Sequence, residues 1–137
     1  MKVIGIEIDN KRAICYAVEK DNHGSYINLT GKFKSLSIKD DYENSELRNF
    51  QSTIHTFFEG IVPQRIAVLK RQTKGRFASS AVSFKLEGLI QCYEDVEVEF
   101  VSPQTLKAYY KKNGCSISPQ HNYQDKAVQL ANYLLNT

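Results

Sequence analysis

The chain is poor in the residues that announce familiar chemistries. Its three cysteines, Cys15, Cys92 and Cys115, are odd in number and widely separated, and no pair has metal-ligand or redox spacing. They are expected to be reduced thiols, with Cys15 and Cys92 packed inside. His23, His55 and His121 are scattered over a turn, a helix and a loop, so nothing points to a zinc site or a histidine base. No Ser-His-Asp arrangement can be argued from spacing, because triads assemble in space. No apolar run approaches membrane-spanning length, and no membrane partner is expected. The chain runs directly into a strand with no signal peptide, which is the expectation for a cytoplasmic protein. No internal repeat or low-complexity linker stands out. A net charge of +3 is too small to announce a nucleic-acid binder.

What is present fits one globular domain spanning 1–137. With 42% hydrophobic and 24% charged residues, the chain can build a real core and a solvated surface. The charges are unevenly distributed. Lys70, Arg71, Lys74, Arg76 and Lys85 occur without an acid between them, as do Lys107, Lys111 and Lys112. Acids gather in Asp40-Asp41-Tyr42-Glu43 and from Glu94 to Glu99. A basic face on an otherwise acidic surface would suit a polyanion partner.

The hydrophobic period divides the chain. Lys2–Asp9, Arg12–Glu19 and Ser25 to about Leu36 alternate as strands, with Asn10-Lys11 and Asp21-Asn22-His23-Gly24 as turns and Gly31 as a candidate bulge. Leu47, Phe50, Ile54, Phe57 and Ile61 then recur at helical spacing, predicting a helix over Asn44–Gly60. A fourth strand follows at Ile66–Lys70, a helix at Ala78–Tyr93 and a fifth strand at Val96–Phe100. Pro103 opens a helix that stops at Asn113-Gly114, and a last helix runs from about Asn122 to Leu135. The order βββαβαβα plus a final helix implies a mixed five-stranded α/β sheet, order 3-2-1-4-5, with helices on both faces. The first and fourth strands would be parallel neighbours, and their carboxyl ends would share the crevice where ligands bind in open α/β sheets.

Two sequence features meet there. Glu7 and Asp9 share a face of the apolar first strand with Gly5, and charge in such a strand is costly unless paired, hydrated or bound. The basic stretch Lys70-Arg71-Gln72-Thr73-Lys74-Gly75-Arg76 leaves the fourth strand, and Gly75 would let backbone amides approach an anion. It is not a Walker loop, because the Gly-x-x-x-x-Gly-Lys spacing is absent. Asp9 also suits a turn before Asn10. Glu87 sits on the border of its helix's apolar stripe, where it is either solvated or available as a ligand. Tyr109-Tyr110-Lys111-Lys112 interleaves aromatics with bases, although helical spacing turns one tyrosine inward.

The opening Ile4-Gly5-Ile6-Glu7 resembles the first motif of RuvC-type Holliday-junction resolvases, where Gly-Ile-Asp stands. The segments Phe50–Thr53, Lys70–Ala78, Ser83–Glu87 and Ile90-Gln91 resemble a small bacterial family of uncharacterised ribonuclease H-like proteins, across nearly the whole chain. The resemblance implies a ribonuclease H-like fold and carries no activity with it. Under the resolvase pattern Glu7 matches the first acid and Asp125 the third, so these two would be metal ligands and, with Lys70, the catalytic residues. The second acid is expected where Leu69-Lys70-Arg71 stands, which supplies no carboxylate. Two-metal phosphoryl chemistry needs several oxygen ligands to hold dications about 4 Å apart. A lysine there would repel metal, yet could take the place and charge of one metal and hold a phosphate. Asp125 also suits the N-terminal dipole of its helix.

The leading expectation is therefore binding of nucleic acid, or of a phosphate-bearing ligand, at the carboxyl ends of the first and fourth strands. Glu7 would organise the site, and Lys70, Arg71, Lys74 and Arg76, with the Gly75 backbone, would contact phosphate. The alternatives are a nuclease dependent on magnesium or manganese, and an inactive scaffold with Glu7 paired to Lys70 or Arg71. A homodimer through a sheet edge or helix face is a further partner to consider.

Overall fold

Strand alternation sets the layout of the computed structural model, which describes residues 1–71 and 80–137. Lys74, Gly75, Arg76 and the expected helix start at Ala78 lie outside the described residues. β1 (Lys2–Asp9) pairs antiparallel with β2 (Arg12–Lys20) through a two-residue turn in which Asp9 faces Arg12. Asn10 takes a left-handed φ of 54°, a region asparagine tolerates better than most residues. The expected third strand is divided into β3 (Tyr26–Asn28) and β4 (Ser35–Ser37), both paired with β2. Gly31, at φ 59°, turns the chain between them. Buried Thr30 replaces the missing ladder there. Its hydroxyl accepts from the Ala17 N–H (2.9 Å) and donates to the Ala17 carbonyl (3.2 Å).

The remaining elements are α1 (Asn44–Ile61), β5 (Arg65–Leu69), α2 (Ala81–Gln91), β6 (Val98–Val101), α3 (Pro103–Tyr110) and α4 (Asp125–Leu135), the last entered through a 3-10 turn at Asn122–Gln124. β5 runs parallel to β1 and β6 parallel to β5, giving the order β3-β2-β1-β5-β6 with β4 also on β2. This is the sequence-based order with one strand split. Cys15 is buried as expected, whereas Cys92 is exposed where α2 ends.

Each face of the sheet is covered. Ile4, Ile6 and Ile8 alternate toward α1 and α2 and pack with Phe50, Ile54 and Phe58, which recur every fourth residue along α1. Val3, Ala67 and Leu69 point the other way, toward Leu106 of α3 and Leu130 and Leu134 of α4. Full burial of one such side chain contributes about 1.5–3 kcal/mol.

α4 crosses β1 without intervening side chains. A Cβ on Gly5 would stand 2.4 Å from the Ala127 carbonyl oxygen and 2.8 Å from the Ala131 nitrogen. The helix can lie this low only over glycine. Both ends of α4 are also tied down. The Gln124 side-chain amide donates to the Cys15 carbonyl (3.4 Å) at the amino end. At the carboxyl end Arg65 donates to the Leu134 carbonyl (2.8 Å) while gripping both oxygens of Glu99 at 2.8 and 2.6 Å.

Gly5→Ala should therefore cost about 1–3 kcal/mol or more by overpacking, read as a lower midpoint in urea unfolding. Gly88→Ala is the control. That glycine lies inside α2 with nothing within 4 Å of the added methyl, and the change should stabilise by about 0.4–1 kcal/mol. Equal effects from the two substitutions would contradict the close approach of α4 to β1.

Candidate functional site

Glu7 is the first polar side chain beyond the Gly5 contact on the same face of β1, so it lies half-buried at the amino end of α4. Burial pushes its carboxyl above the ordinary 4.5, and the charge of Asp9 adds to the shift. Arg71, Lys126 and Arg12 pull the other way without cancelling it.

Arg71 follows β5 by two residues and is also half-buried. Burial lowers its guanidinium pKa, while the charges of Glu87, Glu7 and Asp9, in that order, favour its charged form. Glu87, reaching in from α2, is raised by burial and opposed by Arg71 and Lys70. Arg71 Nε and Glu87 Oε2 are both buried with no hydrogen-bond partner among the described residues. Such groups call for a water or a ligand, because an unmet buried polar atom costs about 1–3 kcal/mol.

Exposed Lys70 uses its backbone N–H on the Val101 carbonyl (2.8 Å), and its charge acts on Glu87. Arg71, not Lys70, is thus the base that acts on Glu7 from the end of β5. Asp125 is exposed at the first position of α4 and accepts from the Gln129 side chain (3.1 Å). The α4 charge that acts on Glu7 is that of the next residue, Lys126.

An exposed rim adjoins the cluster. Arg12 pairs with Asp9 (3.3 Å) and lies 5.2 Å from the centre of the Tyr123 ring. Tyr123 in turn stacks on His121, with ring centres 5.4 Å apart and planes 4° from parallel. The sequence pattern gave no sign of Arg12, Lys126 or this stack, because residues so far apart meet only through the fold. The one usable hint was the placement of Arg12 three residues after Asp9, across the tight turn from it.

The cluster can bind an anion better than a pair of dications. Glu7, Asp9 and Glu87 face Arg71, Lys70, Lys126 and Arg12, so bases outnumber acids. Among the described residues no group of three His, Cys, Asp or Glu is arranged to hold a metal ion. The guanidinium itself stands amid the carboxylates that would have to serve as ligands. The donor set does not fit the two-metal centre that the resolvase pattern implies.

Solved structures similar to this chain include Holliday junction resolvases. The chain is similar to Thermus thermophilus RuvC at a TM-score of 0.76 and 14% identity, covering 96% of this chain and 92% of that one. The same protein in complex with a Holliday junction substrate matches at 0.69 and 14% identity, over 96% and 91%. The yeast mitochondrial Holliday junction resolvase matches at 0.53 and 13% identity, over 80% of this chain and 54% of that one. The fold is ribonuclease H-like. By sequence the chain belongs to the DUF3010 family, described as proteins of unknown function, whose profile matches residues 1–134. No curated protein matches it.

The raised Glu7 carboxyl has a stability consequence. A carboxyl that holds its proton more tightly in the folded state than the ordinary 4.5 stabilises the fold below that pH, and this is lost as pH rises through the folded value. Charged Glu7 therefore costs stability at neutral pH. Glu7→Gln should melt higher than wild type at pH 7, and the gain should shrink as pH falls through the raised folded value, levelling off below about 4.5. A variant that melts lower at pH 7 would identify Glu7 as a structural brace for Arg71.

Proposed function

We propose that this protein binds nucleic acid at the carboxyl ends of β1 and β5, holding a backbone phosphate on Arg71 without a divalent metal pair. The observation that supports this reading is the position of Arg71 itself. Its Nε–H, without a partner among the described residues, belongs to a guanidinium on which the charges of Glu87, Glu7 and Asp9 all act, where the resemblance would put metal. A guanidinium is a permanent cation with a planar array of donors, and phosphate oxygens are its natural acceptors. The charges of Glu87 and Glu7 favour the charged guanidinium, and Lys70 and Lys126 add positive charge near the two carboxylates. Lys74 and Arg76 follow within a few residues in sequence and extend the phosphate-contacting role. The Holliday junction bound by the Thermus thermophilus protein of the same fold supports nucleic acid as the ligand class, by analogy of fold. A smaller phosphate-bearing ligand would use the same contacts.

The test is binding of labelled single-stranded, duplex and four-way-junction DNA, and of RNA, over a salt series with magnesium or with EDTA. The expected result is affinity that falls with salt and is the same in both. Arg71→Gln should weaken binding and reduce the slope of log K against log salt by about 0.7–0.9, the contribution of one phosphate contact. Flat curves for every substrate would sink the nucleic-acid reading. Cleavage that needs magnesium or manganese and disappears in Glu7→Gln would replace it with a metal-dependent nuclease.

A further inference from the structure

The face that carries α3 and α4 holds a groove beside the Glu7–Arg71 cluster, with a volume of about 560 Å³. Its floor is apolar, built from Leu69, Leu106 and Tyr110, and its rim carries Lys107, Lys111 and Lys126. That volume falls within the usual range for small-molecule sites. No carboxylate lines the groove, and among the described residues none of the three lysines takes part in a salt bridge. Residues 72–79 contain no acid, so they cannot supply a counter-charge. Lys107 and Lys111 stand one helical turn apart on the α3 side, and Lys126 faces them from α4.

The aromatic wall is fixed in advance. The Tyr110 hydroxyl donates to the Gln129 carbonyl (2.5 Å) and accepts from the Asn132 side-chain amide (3.0 Å). Its polar tip is engaged by α4, so the ring offers the groove only apolar surface. An occupant must therefore combine a flat apolar body with flanking negative charge. Nucleotides have that combination. In a continuous duplex the base faces are stacked on one another, so only an unpaired nucleotide can present one to the wall.

We propose that this groove seats one unpaired nucleotide of a nucleic-acid strand, with its base against Leu106 and Tyr110 and its phosphates on Lys107, Lys111 and Lys126. The inference rests on the nucleic-acid reading above and adds the substrate class: strands with an unpaired base in preference to continuous duplex. Lys126 joins the two sites, since it lines the groove and its charge also acts on Glu7. A strand seated in the groove would carry its next phosphate toward Arg71.

The experiment compares three fluorescent probes on the whole protein: a DNA single strand, the duplex of the same sequence, and the same single strand with abasic sites. Adenosine monophosphate is the fourth ligand. Wild type should bind the single strand about tenfold more tightly than the duplex and lose most of that preference with the abasic strand. The K107Q/K111Q double variant, changed only at exposed positions, should keep its circular dichroism spectrum while the single-strand preference falls toward one. Equal binding of strand and duplex, both weakened by Arg71→Gln, would overturn the groove assignment and leave the phosphate site standing. Failure to bind any nucleic acid would overturn both. Adenosine monophosphate binding as tightly as the single strand would overturn the strand as occupant.

Discussion

The backbone contact between α4 and Gly5 is the constraint on which the rest of the site depends. A helix laid over a strand normally stands off by the thickness of the side chains between them. Here the Ala127 carbonyl lies where a Cβ on residue 5 would be. That descent brings the first turn of α4, and with it Lys126, down to Glu7. The lysine-rimmed groove lies on the same face, lined by residues of α3 and α4. Arg65 and Gln124 then hold α4 at its two ends, so its height over the sheet is set at three points.

The chemistry of the cluster follows from which of its charges can yield. Arg71 cannot lose its proton at any physiological pH, even though burial opposes its charge. The carboxyls can yield, and burial drives both Glu7 and Glu87 upward. An ion pair buried without full hydrogen bonding is a poor source of stability, because desolvation offsets most of the attraction. Among the described residues Arg71 Nε and Glu87 Oε2 have no hydrogen-bond partner, and no salt bridge joins Arg71 to Glu7 or Glu87. An arriving phosphate would satisfy Arg71, weaken its hold on the two carboxylates and raise their pKa values further, so binding and proton uptake are linked.

The fold was largely legible because its signals are periodic and local. Ile4, Ile6 and Ile8 alternate, Phe50, Ile54 and Phe58 recur every fourth residue, and Asn10-Lys11 forms the tight turn its composition implies. Gly31 misled, because a positive φ can bulge a strand or end it, and the choice was made by Thr30 bonding across to Ala17. In the site, Glu7 and Arg71 were legible as strand-end charges. Lys126 was not, because its position depends on the close approach at Gly5, which no single-residue pattern encodes. Asp125 drew attention through the resolvase pattern, but it is Lys126, one residue on, whose charge acts on Glu7. Tyr110 shows the same limit. Spacing predicts that one of two adjacent tyrosines turns inward, whereas the ring that lines the groove is fixed by hydrogen bonds to α4.

In the proposed arrangement, sharing of Lys126 couples the two phosphate positions. The charge of Lys126 acts on Glu7, which would compete with any phosphate for it. A phosphate in the groove would draw on the same charge, leaving Glu7 less compensated and its proton more tightly held. Protonated Glu7 no longer opposes an anion at Arg71, so occupation of the groove favours occupation of the neighbouring position. A strand carries its phosphates at fixed intervals and can meet both demands with one molecule. An isolated phosphate meets only one, and gains nothing from the coupling that Lys126 provides. On the proposed reading, the geometry of α4 over Gly5 would favour a polymer over a monomeric anion, through one lysine held between two sites.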